Sequence, residues 1–154
     1  MNVRRKVTRG MLEERLSRCL NMAIRKSCPG DPTIFFPGCP ETTQLAWRTL
    51  DALGFGLEAV VMQGKAKEAG SDRWVDHVWV ELPETGLRIE TNAWQILGLP
   101  QFIEVEDISL SGDRYRDPFE RMELLSMVTR EGEKFYGSMA RKVASCIQSR
   151  RRNR

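Results

Sequence analysis

Between Leu57 and Thr91 the chain carries three short runs in which apolar and polar residues alternate, Leu57–Met62, Trp74–Leu82 and Leu87–Thr91. Turn-rich segments around Gly70-Ser71-Asp72 and Pro83-Glu84-Thr85-Gly86 separate them. A period of two sends successive side chains to opposite faces, which is the signature of a half-buried strand. Three consecutive antiparallel strands are therefore predicted, with a fourth short strand near Phe102–Val105.

Helical periodicity flanks this meander. Leu12, Leu16, Leu20, Ala23 and Ile24 recur at helical spacing, with Glu13 and Glu14 where the helix dipole favours acids, so a helix is predicted over 11–26. Cys28-Pro29-Gly30-Asp31-Pro32 ends it, and a loop with Phe35 and Phe36 follows. A second helix is punctuated by Pro40 in its first turn and Gly54 just past its end, which puts Cys39 at the N-cap and Ala46, Leu50 and Leu53 on the inward stripe. Arg48 and Asp51 are expected to point to water. Two further helices are predicted over 118–148, one with Phe119, Met122, Leu125 and Met127, the other with Phe135, Met139, Val143 and Ile147, broken near Gly132. The order of helices, strand meander and helices implies an α+β fold, an antiparallel sheet packed against helices.

A chain of 154 residues has room for one compact domain, and 41% hydrophobic with 29% charged residues is an ordinary globular mixture. No apolar run is long enough to span a membrane and the start lacks a signal-peptide core, so the expected location is cytoplasmic and no membrane partner is expected. The basic runs at Arg4, Arg5 and Lys6 and at Arg150, Arg151, Arg152 and Arg154 read as solvated tails that can add weak nucleic-acid contact.

Four cysteines are present, Cys19, Cys28, Cys39 and Cys146, without a CxxC pair or a second histidine. Neither a metal site nor any other cofactor is predicted, and disulfide staples are not required in a chain of this size. Cys19 and Cys146 fall inside amphipathic helices and read as core or boundary residues. Cys39 differs, because a helix N-terminus stabilises a thiolate, the reactive form of the thiol.

Any imidazole chemistry must use His77, the sole histidine. It shares a strand face with Trp79 and Glu81, away from Val78, Val80 and Leu82. A third group is needed to fix its tautomer. Glu90 is the candidate, since the turn at 83–86 returns its strand alongside that of His77, and Asn92 on the same face is the alternative. The ordinary structural readings are a histidine satisfied by a backbone carbonyl and a surface ion pair of Glu90 with Arg88.

These residues resemble the transglutaminase-like superfamily, related to papain. Gly38-Cys39 matches the family's helix-opening pair, Leu53-Gly54 its helix end, Gly64 the glycine that closes the next strand, and His77-Val78-Trp79-Val80-Glu81 its histidine motif. Ile89-Glu90-Thr91 stands in the place of a hydrophobic-Asp-Pro segment, so Glu90 replaces the family's aspartate. The similarity spans 36–92, and the chain's small size is also similar to that of the transglutaminase-like leader peptidases of lasso-peptide biosynthesis.

The resemblance implies a papain-like core and cysteine-dependent acyl transfer on amide bonds through a thioester, with Cys39 as nucleophile, His77 as base and Glu90 as orienting acid. Hydrolysis of a peptide or protein substrate, as peptidase, amidase or deamidase, is expected ahead of cross-linking, because no second substrate-binding domain is evident. Trp79 is expected to wall the cleft with help from Trp74 and Trp94, and the turn 65–72 to form its rim. The alternative is a non-catalytic peptide- or nucleic-acid-binding module on the same fold.

Overall fold

A computed structural model of the chain describes residues 6–27, 39–110 and 112–149, with Cys39 and Pro40 described in their backbone alone. The turn at Cys28, the loop with Phe35 and Phe36, Gly38 and most of both basic tails lie outside the described residues.

The architecture is α+β, with one five-stranded sheet in which every neighbouring pair is antiparallel. The strands are β1 (Val60–Lys67), β2 (Trp74–Leu82), β3 (Leu87–Glu90), β4 (Glu104–Asp107) and β5 (Tyr115–Glu120), in the spatial order β4-β3-β2-β1-β5. The helices are α1 (Arg9–Met11), α2 (Ser17–Ser27), α3 (Cys39–Ala52), the single turn α4 (Ala93–Ile96) and α5 (Arg130–Gln148). A π-helical stretch, Leu12–Leu16, joins α1 to α2, so the predicted first helix is continuous over 9–27. No helix among the described residues is long and apolar enough to cross a membrane.

Burial explains the layering. Val80, Leu82, Leu87 and Ile89 of the sheet pack with Leu45, Ala46 and Leu50 of α3, Leu20 and Ile24 of α2, and Val143 and Ile147 of α5 in one apolar cluster. Burying an aliphatic side chain contributes about 1.5–3 kcal/mol, so this shared core is what seats α3 on the sheet. The period of two then turns His77, Trp79, Arg88 and Glu90 to the other face, where all four are also buried.

Several boundaries differ from expectation. The first strand begins at Val60 and runs on through Lys67, so the first three residues of the expected rim at 65–72 are strand, paired with Asp76, Val75 and Trp74 of β2. The fourth strand is displaced to Glu104–Asp107. Residues 118–120 are not helical, because they complete β5, which pairs with Met62–Ala66 of β1; the short helix predicted there is reduced to a 3-10 turn at Met122–Ser126. α5 is unbroken at Gly132, whose N–H is capped by the Thr129 hydroxyl at 3.0 Å in the first turn, where glycine costs little.

Two side-chain expectations are also corrected. Cys19 and Cys146 are not separate core cysteines but a disulfide, with Cα atoms 6.3 Å apart, that ties α2 to α5. Arg48 does not simply point to water, for its guanidinium donates to the Leu125 carbonyl at 3.2 Å and holds the 3-10 turn against α3.

Candidate active site at the open end of strands β2 and β3

β3 is short. Its pairing with β2 runs from Leu82↔Leu87 to Val80↔Ile89, so Val78 and His77 lie beyond the last paired residues and the two strands part there. Into this opening comes the first turn of α3. Thr42 Oγ1 donates to the Thr91 carbonyl at 2.9 Å, Thr43 Oγ1 to Thr91 Oγ1 at 3.2 Å, and Thr91 Oγ1 to the Val78 carbonyl at 2.8 Å. Backbone groups left unpaired where strands separate must find other partners, and threonine hydroxyls supply them. The first turn of α3, a helix that begins at Cys39, is thus tied to the end of β3 and through Thr91 to the backbone of Val78, while the His77 side chain leaves the opposite face of β2. The Cys39 side chain itself lies outside the described part of the structure.

On the face away from the helical core, His77 Nε2 and Glu90 Oε1 are 2.5 Å apart, and both side chains are sealed from solvent. Glu90 is not the partner of Arg88 that its sequence position suggested. Arg88 approaches Glu81 instead, at 3.4 Å. Nor is His77 held by a carbonyl at Nε2, where the carboxylate takes that place. Asn92, the alternative third group, donates its backbone N–H to Glu90 Oε1 at 3.0 Å and its side-chain amide to Gln95 Oε1 at 2.6 Å.

Glu90 has a further partner that the sequence did not single out. Tyr115 of β5 donates its hydroxyl to Glu90 Oε2 at 2.5 Å. Its ring centroid lies 4.8 Å from that of Trp79, and the Arg88 guanidinium lies 4.0 Å from it on a cation–π contact. Trp79 in turn stacks on His77, with centroids 5.7 Å apart and planes at 24°. Trp79, expected to wall the cleft, is fully buried and packs between the imidazole and the Tyr115 ring. Trp74 lies away from this stack, under the Arg116 guanidinium at 3.8 Å, and Trp94 is exposed on the turn after β3.

Gly64 makes the arrangement possible. It stands mid-strand, opposite His77, and not at the strand end where the family pattern had it. A Cβ there would come 2.7 Å from the Arg116 carbonyl and 3.0 Å from Trp79 Cη2. Only a residue without a side chain lets β5 and the indole close over β1.

Burial alone would drive the Glu90 carboxyl towards its neutral form, but the His77 charge and the hydrogen bonds from His77, Tyr115 and the Asn92 N–H outweigh it. The carboxyl is held below its ordinary range and is ionised at neutral pH. Burial, reinforced by the Glu90 charge, pushes the Tyr115 phenol upward, so it remains a donor. An ionised carboxylate only accepts, so the short His77–Glu90 bond carries a proton that belongs to Nε2, and when the imidazolium gives up its other proton Nδ1 is the basic nitrogen. No cluster of His, Cys, Asp or Glu suited to a metal occurs among the described residues. Such a pair can orient and stabilise an imidazolium, the central requirement of acid–base and nucleophilic catalysis.

No protein-family model, curated protein or solved structure matches this chain.

Proposed function

We propose that the chain is a cysteine-dependent acyl hydrolase of the transglutaminase-like kind, with a papain-like core, acting on amide bonds of a peptide or protein. In this reading Cys39 is the nucleophile, His77 the general base through Nδ1, and Glu90 the acid that orients His77. His77 takes the thiol proton, the thiolate adds to the amide carbonyl, and the C–N bond breaks as His77 returns the proton to the leaving amine. Water, deprotonated by the same imidazole, then opens the thioester and releases Cys39. Water needs no second binding site, and the acceptor assigned here is water.

The observation that carries this reading is the buried 2.5 Å contact of His77 with Glu90, set where the first turn of α3 is tied to Thr91. A buried ion pair is a poor source of stability, because desolvation offsets most of the attraction, so a stabilising role gives little reason for one. Perturbed, desolvated acid–base pairs are concentrated at functional sites. The helix start adds its partial positive charge to whatever anion forms at Cys39.

Alkylation kinetics test the proposal. Iodoacetamide should modify Cys39, identified by peptide mass spectrometry, faster than a free thiol in mildly acidic to neutral buffer. His77→Gln should bring the rate down to the free-thiol level. A wild-type rate equal to that of a free thiol, and indifferent to His77→Gln, rules the hydrolase out.

A further inference from the structure

Tyr115 opens β5, which is separated from β3 in the sheet by β1 and β2, yet its hydroxyl reaches Glu90 at the end of β3. The sheet must curl for this to happen, and the missing side chain at Gly64 is what admits the curl. Trp79 and the Arg88 guanidinium hold the phenol ring, so the direction of its hydroxyl is fixed. Packing alone would need the ring and no more. The hydroxyl is placed on the one carboxylate oxygen that His77 and the Asn92 N–H do not use.

We propose that Tyr115 is a positioning residue of this site, whose hydroxyl on Glu90 Oε2 keeps the proton shared by His77 and Glu90 on the imidazole and so selects the tautomer with a basic Nδ1. The role rests on the reading of His77 as the base. In a short bond between two bases the proton rests on the stronger, and every donor to a carboxylate weakens that carboxylate as a base. Without the phenol, Glu90 competes better for the Nε2 proton. A ring that loses it to Glu90 stays neutral only by taking up a further proton from water at Nδ1, so that the pair holds one proton more and Nδ1 can no longer accept one from a thiol. The other charged groups near the phenol are Arg88 of β3, which approaches Glu81, Arg114, whose guanidinium is hydrogen-bonded with Tyr115 and donates to Glu106 at 2.8 Å, and Glu106 of β4 itself.

With one histidine in the chain, both ring nitrogens of His77 can be read directly in protein labelled with nitrogen-15 histidine. In wild-type protein the neutral ring should carry its proton on Nε2 and none on Nδ1. In Tyr115→Phe, which keeps the ring, the Nε2 signal should move towards the bare position and the Nδ1 signal towards the protonated one. Cys39 alkylation should slow on the order of ten- to a hundredfold, the worth of one hydrogen bond to a charged group. Val143→Ala, which opens a cavity in the helical core, should lower stability and leave both nitrogens unmoved.

If Tyr115→Phe does not fold, 3-fluorotyrosine incorporated in a Tyr136→Phe background keeps the hydrogen bond and makes the phenol a stronger donor, since these are the chain's two tyrosines. The Nε2 proton should then be held more firmly, and its resonance should move upfield. Unchanged nitrogen and proton signals in either preparation overturn the role of Tyr115. The readout does not involve sulfur, so a Cys39 that reacts like a free thiol sinks the hydrolase alone, whereas a reactive Cys39 beside unchanged His77 nitrogens sinks the Tyr115 role alone.

Discussion

Thr42, in the first turn of α3, donates its hydroxyl to the backbone carbonyl of Thr91 at 2.9 Å, and both residues are closed off from solvent. The contact fixes where α3 begins relative to the parted strands, and Thr91 Oγ1 extends it to Val78, next to His77. Thr91→Val keeps the shape and the carbonyl but leaves the Val78 carbonyl without its hydroxyl donor. An unsatisfied buried acceptor costs about 1–3 kcal/mol, so the urea midpoint should fall accordingly. Alkylation of Cys39 should slow as well, because the helix start is no longer held to the strand end.

Glu90→Gln preserves the shape of the buried partner and removes its charge. A neutral amide cannot stabilise the imidazolium, and the rate of His77-dependent Cys39 alkylation should fall by roughly 10²–10⁴-fold. Stability should respond to pH in a definite sense. The folded Glu90 carboxyl is held below its ordinary range, so its contribution is fully present above the unfolded value of about 4.3 and is lost as pH falls through the folded value. Urea titrations at neutral and strongly acidic pH should show this loss in the wild type and not in Glu90→Gln.

Much of this site can be read in the sequence because it depends on period and punctuation. Alternation from Trp74 to Leu82 gave β2 its bounds, and the turn before Leu87 brought Glu90 beside His77's strand. Tyr115 could not be found that way. Its strand has an exposed face, a proline at 118 and Asp117 at a positive φ of 52°, so neither period nor propensity marks it, and only pairing with β1 makes it a strand. Gly64 carried a signal that was readable in principle, a glycine inside a strand pattern, which points to a close backbone approach. The Cys19–Cys146 pairing spans 127 residues and needs the helix packing before it can be seen.

Gly64→Ala puts a methyl group against a backbone oxygen at 2.7 Å, which cannot rotate away. Overpacking of this kind costs about 1–3 kcal/mol, and the melting temperature should drop by a few to about ten degrees. Gly112→Ala is the fitting comparison, because nothing lies within 4 Å of a Cβ there, and it should melt as the wild type does.

The Cys19–Cys146 disulfide closes a loop with a sequence separation of 127, so reducing it frees most of the chain in the unfolded state. Native disulfides typically contribute 2–4 kcal/mol, and the double variant Cys19→Ala, Cys146→Ala should lose about that much in urea denaturation. Denatured without reductant, the chain should leave Cys19 and Cys146 unmodified by iodoacetamide, and after reduction peptide mass spectrometry should find both alkylated. Alkylation of Cys19 and Cys146 before reduction would mean that α2 and α5 are held by packing alone. In that case the double variant should cost only what one buried and one half-buried small side chain contribute, and the stability of the helical layer would rest on Ala140, Val143 and Ile147 of α5.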